Sequence, residues 1–288
     1  MNIQKFQKYS HEISPLYPAL ADKAEAISRA IENSPINVTA ISDGDGILVK
    51  HIIDSLCCGE AVARYADAAR GEGADGDSSG AERRLTLCDV GSGGGFPALP
   101  IAAALGDISV CALDSTAKKC RFIEESAASA GITNLTSVCA RAEEAKGLFG
   151  TFDFVTARAV AALPVLIEIC APLLKVGGYF FAMKGKNADA ELASSERAAR
   201  ELGLTLADSV RYELPEDSGS RAIFVYRKTS PTPARIQKDR ESAALSGAFV
   251  LPGRRRRTRY NMNLQLHVNL PCPREMGNAH FSNVNSET

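Results

Sequence analysis

The sequence predicts an α/β fold: a doubly wound, mostly parallel sheet with an antiparallel edge, preceded by a small helical section. Three observations carry this. Residues 85–97 read Leu-Thr-Leu-Cys-Asp-Val-Gly-Ser-Gly-Gly-Gly-Phe-Pro. That is a short apolar run, a glycine-rich turn, and a proline opening a small apolar helix. From 85 to 202 strand-like and helix-like segments alternate, as parallel strands with covering helices require. Two β-like runs without a helix between them, 204–214 and 221–228, then close the pattern as a hairpin.

Residues 1–65 form the helical section. Phe6, Tyr9, Ile13, Leu16, Tyr17 and Leu20 recur at roughly helical spacing, as do Ala24, Ile27 and Ile31, until Asn33-Ser34-Pro35 stops them. Asp43-Gly44-Asp45-Gly46 reads as a turn and 47–56 as a helix. Residues 66–84 hold Ala, Gly, Asp, Ser and Glu with no large apolar residue, the composition of a flexible insertion. The α/β body spans 85–228. Its expected elements are strand 85–90, helix 97–105, strand 109–113 ending at Asp114, helix 117–130 stopped by Gly131, and strand 135–139. Strand 152–156, helix 163–174, a Gly177-Gly178 turn into strand 179–183, and helix 189–202 complete five βα repeats before the hairpin. Residues 229–288 are rich in Pro, Asn and Arg and include Arg254-Arg255-Arg256-Arg257-Thr258-Arg259. They read as a disordered basic tail, which could still hold RNA electrostatically.

Of 288 residues, 45% are hydrophobic and 23% charged, as expected of a globular protein. The net charge of −1 hides an asymmetry: residues 229–288 carry nine Lys+Arg against four Asp+Glu, leaving 24 against 30 in the rest. A nucleic-acid site on that acidic body must be a local patch. The eight cysteines form no C-x-x-C pair, so no metal site is expected. With no signal peptide and no long apolar run, the expectation is a cytoplasmic protein that does not enter a membrane.

The glycine pattern is Gly91-x-Gly93-x-Gly95. A dinucleotide fingerprint needs a further glycine where this chain has Phe96, Pro97 and Ala98. Asp89, two residues before Gly91, suits a ligand bearing a cationic group rather than a pyrophosphate; S-adenosylmethionine is such a ligand. Asp114 ends the next strand, where a carboxylate can accept from ribose hydroxyls, or can simply start the following helix. Ala142-Glu143 lie where an adenine edge would fall, though Glu143 also suits a helix start. Arg158 and Lys184, with Lys186, sit at the ends of later strands and would form a positive rim. Lys50, His51 and Asp54 can share a helix face, as a solvated surface or as a site. No Ser-His-Asp, H-E-x-x-H or P-loop pattern is present, so the reaction needs no proton-shuttling dyad.

Residues 90–97, Leu113-Asp114-Ser115, Arg141-Ala142-Glu143-Glu144, Ala157-Arg158-Ala159, residues 173–178 and Lys184-Gly185 occur in the order and spacing of the RsmG family. Asn37-Val38-Thr39-Ala40 and residues 48–55 are similar to its N-terminal hallmark. This is the family of bacterial 16S rRNA guanine-N7 methyltransferases, also called glucose-inhibited division protein B. The resemblance covers about residues 1–235. It implies a Rossmann-like class I methyltransferase using S-adenosylmethionine, with Gly91, Phe96, Ala142, Glu143 and Arg158 at or near the cofactor. It places Lys50, His51 and Asp54 on the substrate side and makes the substrate guanine 527 in 16S rRNA or the small ribosomal subunit. Methyl transfer to N7 needs no general base, so Arg158, Lys184, His51, Lys50 and Asp54 are expected to position substrate. Asp89, Gly91, Gly93, Gly95, Phe96, Asp114, Ala142, Glu143 and Arg158 are expected to hold the cofactor, in a monomer. The chain departs from the family in three ways. Glu32-Asn33 stand where an aromatic residue is usual, the 66–84 connection is long, and residues beyond 235 have no family counterpart. The competing expectations are a small-molecule methyltransferase on the same fold, a non-catalytic RNA-binding protein and, less compatible with the glycine spacing, a dehydrogenase.

Overall fold

The computed structural model describes residues 1–41, 43–72 and 83–233. Most of the expected insertion and nearly all of the expected tail therefore lie outside the described residues. Seven strands form one sheet in the order β3-β2-β1-β4-β5-β7-β6. The strands β1 (Thr86–Val90), β2 (Ser109–Asp114), β3 (Leu135–Cys139), β4 (Phe152–Arg158) and β5 (Leu174–Lys184) run parallel. β7 (Gly219–Lys228) pairs antiparallel with β5 and with the edge strand β6 (Leu204–Leu214). The wound sheet and its antiparallel edge are as the sequence predicts.

Alternation along each central strand divides the core in two. Leu87, Phe154, Phe181 and Val225 face one layer, while Cys88, Val155, Phe180 and Phe224 face the other. On the first face pack α1 (Ile3–Ile13), α2 (Ala21–Glu32), the long helix ending in α4 (Asp54–Glu72), α5 (Ala98–Ala104) and α6 (Ala117–Ser129). The other is covered by α7 (Leu163–Cys170) and α8 (Ala188–Glu201). The N-terminal helices thus share a core with the sheet, with Phe6, Ile27, Ile52 and Val62 in the same buried cluster as Leu87.

Several expected boundaries change. Asp43-Gly44-Asp45-Gly46 is a helix start rather than a turn: Asp43 Oδ1 accepts from the Gly46 N–H at 2.6 Å and caps α3 (Gly44–Ile47). From there the helix runs through a π-helical turn, Leu48–Ile53, into α4, and continues to Glu72, inside the stretch expected to be flexible. The expected helix 163–174 ends earlier, because the chain tightens into a 3₁₀ turn at Ala171–Leu173 and enters β5 at Leu174. Gly177-Gly178 lies within β5, where the pairing with β4 shifts register, so it forms a bulge instead of the strand's beginning. Arg158 is the last residue of β4 rather than a residue beyond it. The link from β3 to β4 holds only a short 3₁₀ turn, Lys146–Leu148, so the third βα repeat lacks its helix.

Candidate active site

The carboxyl ends of the parallel strands form one rim, and three distant pieces of chain converge there. β4 delivers Arg158, whose side chain is largely buried. Its Nη1 donates to Asp54 Oδ2 at 3.0 Å and to the Lys50 carbonyl at 2.8 Å, and its Nη2 lies 3.0 Å from His51 Nδ1. The guanidinium also sits over the Phe96 ring, 5.5 Å from its centre, and Phe96 stacks on His51 at 4.7 Å and 17°. Arg158 thereby ties the glycine loop to the N-terminal helix. The π-helical turn carries Lys50 and His51 into this contact, a device common at functional sites.

Hydrogen-bond chemistry fixes the state of His51. Arg158 can only donate, so Nδ1 must accept. Nε2 then carries the proton and donates to Thr39 Oγ1 at 2.6 Å. The ring is therefore neutral. Burial, reinforced by the Arg158 charge, pushes its pKa down to about 4. Between about pH 6.5 and pH 4 the unfolded chain takes up a proton here that the folded chain refuses, so this residue's contribution to stability is lost as pH falls through that window. The stability of His51→Gln relative to wild type should accordingly improve by up to about 3 kcal/mol between pH 7 and pH 4. Denaturant titration of both proteins at each pH measures it, and a constant gap would contradict the neutral-histidine assignment.

Asp54 is equally committed. Its other oxygen accepts from Tyr212 Oη at 2.7 Å and lies 3.8 Å from Arg221 Nε. Burial, with the Asp54 charge beside it, pushes the Tyr212 hydroxyl's pKa well up, so it remains a donor. Tyr212, Arg221 and the Thr39 contact were not among the residues singled out from sequence. β6 and β7 read only as an edge hairpin, and nothing in their pattern shows that Tyr212 points at a residue 158 positions away. Lys50, His51, Asp54, Arg158, Lys184 and Arg221 line a cleft of about 620 Å³. The Lys50 side chain is exposed there, unlike those of His51 and Asp54.

The other residues separate into those on the crevice and those beneath it. Asp89 is fully buried under the loop. Its Oδ2 accepts from Ser92 Oγ at 2.7 Å and the Ala98 N–H at 3.3 Å, and its Oδ1 from Thr156 Oγ1 at 3.0 Å. Desolvation raises its pKa to about 6 against these donors and the Arg158 charge. It fixes the loop from below, with both carboxylate oxygens taken by donors of the protein itself. Gly91, Gly93 and Gly95 all have positive φ, and a Cβ at Gly91 would meet Val160 at 2.6 Å. Asp114 accepts from the Gly93 and Thr116 N–H groups at 3.0 and 2.9 Å, so it both holds the loop and starts the turn into α6. Ala142 is buried at the β3 end, while the Glu143 side chain is partly exposed. Lys184 is buried, donating to the Ala161 carbonyl at 2.7 Å and paired with Glu191 at 2.8 Å. Glu191 also accepts from the Leu163 N–H at 2.7 Å. The expected positive rim is therefore largely neutralised: Arg158 is paired with Asp54 and Lys184 with Glu191, leaving Lys50 and Lys186 as its exposed cations.

This crevice suits S-adenosylmethionine. A Cβ at Gly93 would meet only the Gly91 carbonyl oxygen, at 3.9 Å, Asp114 ends β2, and a small buried residue, Ala142, follows β3 by three positions. Among the described residues, no group of three or more His, Cys, Asp or Glu is placed to hold a metal ion. No described helix is long and apolar enough to cross a membrane.

Residues 29–211 match the family model for GidB, described as rRNA small subunit methyltransferase G. Three proteins named ribosomal RNA small subunit methyltransferase G are similar over most of their length. That of Geobacillus thermodenitrificans is 37% identical over 244 residues, covering 83% of this chain and 95% of its own. That of Geobacillus kaustophilus is 39% identical over 204 residues, covering 70% and 79%. That of Deinococcus radiodurans is 39% identical over 209 residues, covering 72% and 76%. With the family model matching well over half the sequence, and with relatives this similar, the chain belongs to the GidB family of small-subunit rRNA methyltransferases.

Proposed function

We propose that this protein methylates N7 of a single guanine in small-subunit rRNA, guanine 527 of 16S rRNA, with S-adenosylmethionine as methyl donor. The observation that carries this reading is the saturation of the titratable groups at the cleft. Both nitrogens of His51 and both oxygens of Asp54 are occupied by partners within the protein. Such a site holds geometry and does not relay protons. Guanine N7 suits it, because its lone pair lies in the ring plane and is available in the neutral base. Bound S-adenosylmethionine supplies an electrophilic methyl group on a sulfonium.

The chain's own residues then provide orientation and exclusion of water. The backbone of Gly91, Gly93 and Gly95 and the side chains of Phe96 and Asp114 hold the cofactor. Ala142 and Glu143 border its base, and Asp89 acts through the loop. Arg158, gripped by Asp54, His51 and the Lys50 carbonyl, is the hinge between the cofactor side and the substrate side. Lys50 offers an ammonium in the cleft to phosphate or to the guanine acceptor edge. Lys184 fixes the Ala161 segment that walls the cleft. The target base must leave its stack to enter. The protein works as a monomer in the cytoplasm.

Chemical cleavage at N7-methylguanine in 16S rRNA tests the reading. RNA from cells lacking the protein should lose one cleavage site, and the purified protein with the labelled donor should restore it. Unchanged cleavage, or label passing only to a small molecule in an RNA-free extract, would overturn it.

A further inference from the structure

Asp114 and Cys139 are register partners at the carboxyl ends of β2 and β3. Cys120, on the first turn of α6, donates its thiol to the Asp114 carbonyl at 3.4 Å, and the same carbonyl accepts from the Ala140 N–H at 3.1 Å. Ser137 Oγ donates to the Cys120 carbonyl at 3.2 Å, and Cys139, two residues further along β3, lies on the same face of the strand, toward α6. Of the seven cysteines among the described residues, Cys139 is the exposed one and the other six are buried. An oxidant in solvent therefore meets a thiol on the strand beside Asp114, whose carbonyl holds the Cys120 thiol.

We infer that Cys139 and Cys120 form an oxidisable pair, which a peroxide converts to a disulfide, and that this bond weakens binding of the cofactor in the adjoining crevice. The second half rests on the cofactor placement proposed above. In the first step the Cys139 thiolate attacks the peroxide: an S–O bond forms, the O–O bond breaks, and hydroxide leaves as water after protonation, giving a sulfenic acid. In the second, Cys120 sulfur attacks Cys139 sulfur, losing its proton: the S–S bond forms, the S–O bond breaks, and water departs. Two electrons pass from the two thiols to the peroxide. The disulfide removes the thiol donor from the Asp114 carbonyl and draws the start of α6 onto the segment leading to Ala142. Both are walls of the crevice. Cys88 and Cys111 provide an internal comparison, for they too are adjacent in register and share one face of the sheet, but both are buried in the core.

The test treats the full chain with hydrogen peroxide, alkylates it, and maps peptides by mass spectrometry. The expected product joins the peptides of Cys120 and Cys139 with loss of two hydrogens, while Cys88 and Cys111 remain reduced. Cys120→Ser should stop at a Cys139 sulfenic acid, trapped by dimedone. Absence of the 120–139 link, or earlier formation of an 88–111 link, overturns the pair. Calorimetry with S-adenosylmethionine then compares reduced, oxidised and re-reduced protein. Oxidation should weaken binding at least tenfold, reversibly, and Cys139→Ser should bind like the reduced protein and ignore peroxide. Equal affinity with the disulfide in place overturns the coupling. If reduced Asp114→Asn binds the cofactor as tightly as wild type, the crevice assignment fails and the coupling with it, while the peptide map still decides the pair.

Discussion

Replacing Arg158 with alanine lowers methyl transfer to 16S rRNA by at least about a hundredfold, while the protein still folds. The loss has two sources. The guanidinium holds Asp54, His51 and the Lys50 carbonyl with three donors, so without it the π-helical turn is no longer tied to β4. It also lies over Phe96, the residue through which the glycine loop meets that turn. Folding survives because Asp54 keeps Tyr212, with Arg221 close by, although a buried carboxylate robbed of its main cation should cost about 1–3 kcal/mol. Arg158→Lys should recover little activity, since a point charge on a flexible stem cannot reach a carboxylate, a carbonyl and an imidazole together. Single-turnover transfer of labelled methyl, with thermal unfolding as control, measures both effects. Wild-type turnover by the alanine variant would remove Arg158 from the site, whatever its contacts.

The parts of this molecule legible in the sequence are those whose chemistry is local. The stretch 85–97 reads as strand, turn and helix because apolar run, glycines and proline are contiguous, and the hairpin reads from its two β-like runs. The contacts of Arg158 are not local. Its position near a strand end is visible, but its partners lie 104 to 108 residues away, and no periodicity encodes that meeting. Asp89 is a second case. An acid before a glycine loop is visible in the sequence, but its partners are not: they come from Thr156 on the neighbouring strand and Ala98 on the following helix. Lys184 reads as part of a positive rim because the sequence shows its charge but not its partner. Glu191 comes from a helix that sequence places but does not orient. The helix from Gly44 to Glu72 is longer than its sequence pattern suggests because Gly and Asp at its start mimic a turn, and because low apolar content near residue 70 mimics a linker.

Two alanine substitutions in the glycine loop should fail in opposite ways. At Gly95 a Cβ would stand 2.4 Å from Leu99 Cδ1 and 2.8 Å from its Cγ, and Leu99 is fully buried with no room to withdraw. The backbone there has φ of +87°, which L side chains adopt only under strain. Overpacking and strain together should destabilise Gly95→Ala by about 3 kcal/mol or more, lowering the melting temperature and, through loss of fold, the activity. At Gly93 the nearest atom to an added Cβ is the Gly91 carbonyl oxygen at 3.9 Å, so the protein itself accommodates the methyl group. Its φ of +57° costs about 1–2 kcal/mol in a non-glycine residue and leaves the domain folded. On the proposed cofactor placement the methyl group projects into the space where the loop approaches its ligand, and S-adenosylmethionine affinity should fall at least about tenfold. Thermal unfolding and calorimetry on both variants separate the cases. A Gly93→Ala protein that binds the cofactor normally would place the ligand away from this loop. A Gly95→Ala protein as stable as wild type would mean that Leu99 yields, contrary to the packing that surrounds it. The two variants thus separate a glycine whose side-chain space is filled by the protein's own core from one whose side-chain space faces the ligand proposed for this loop.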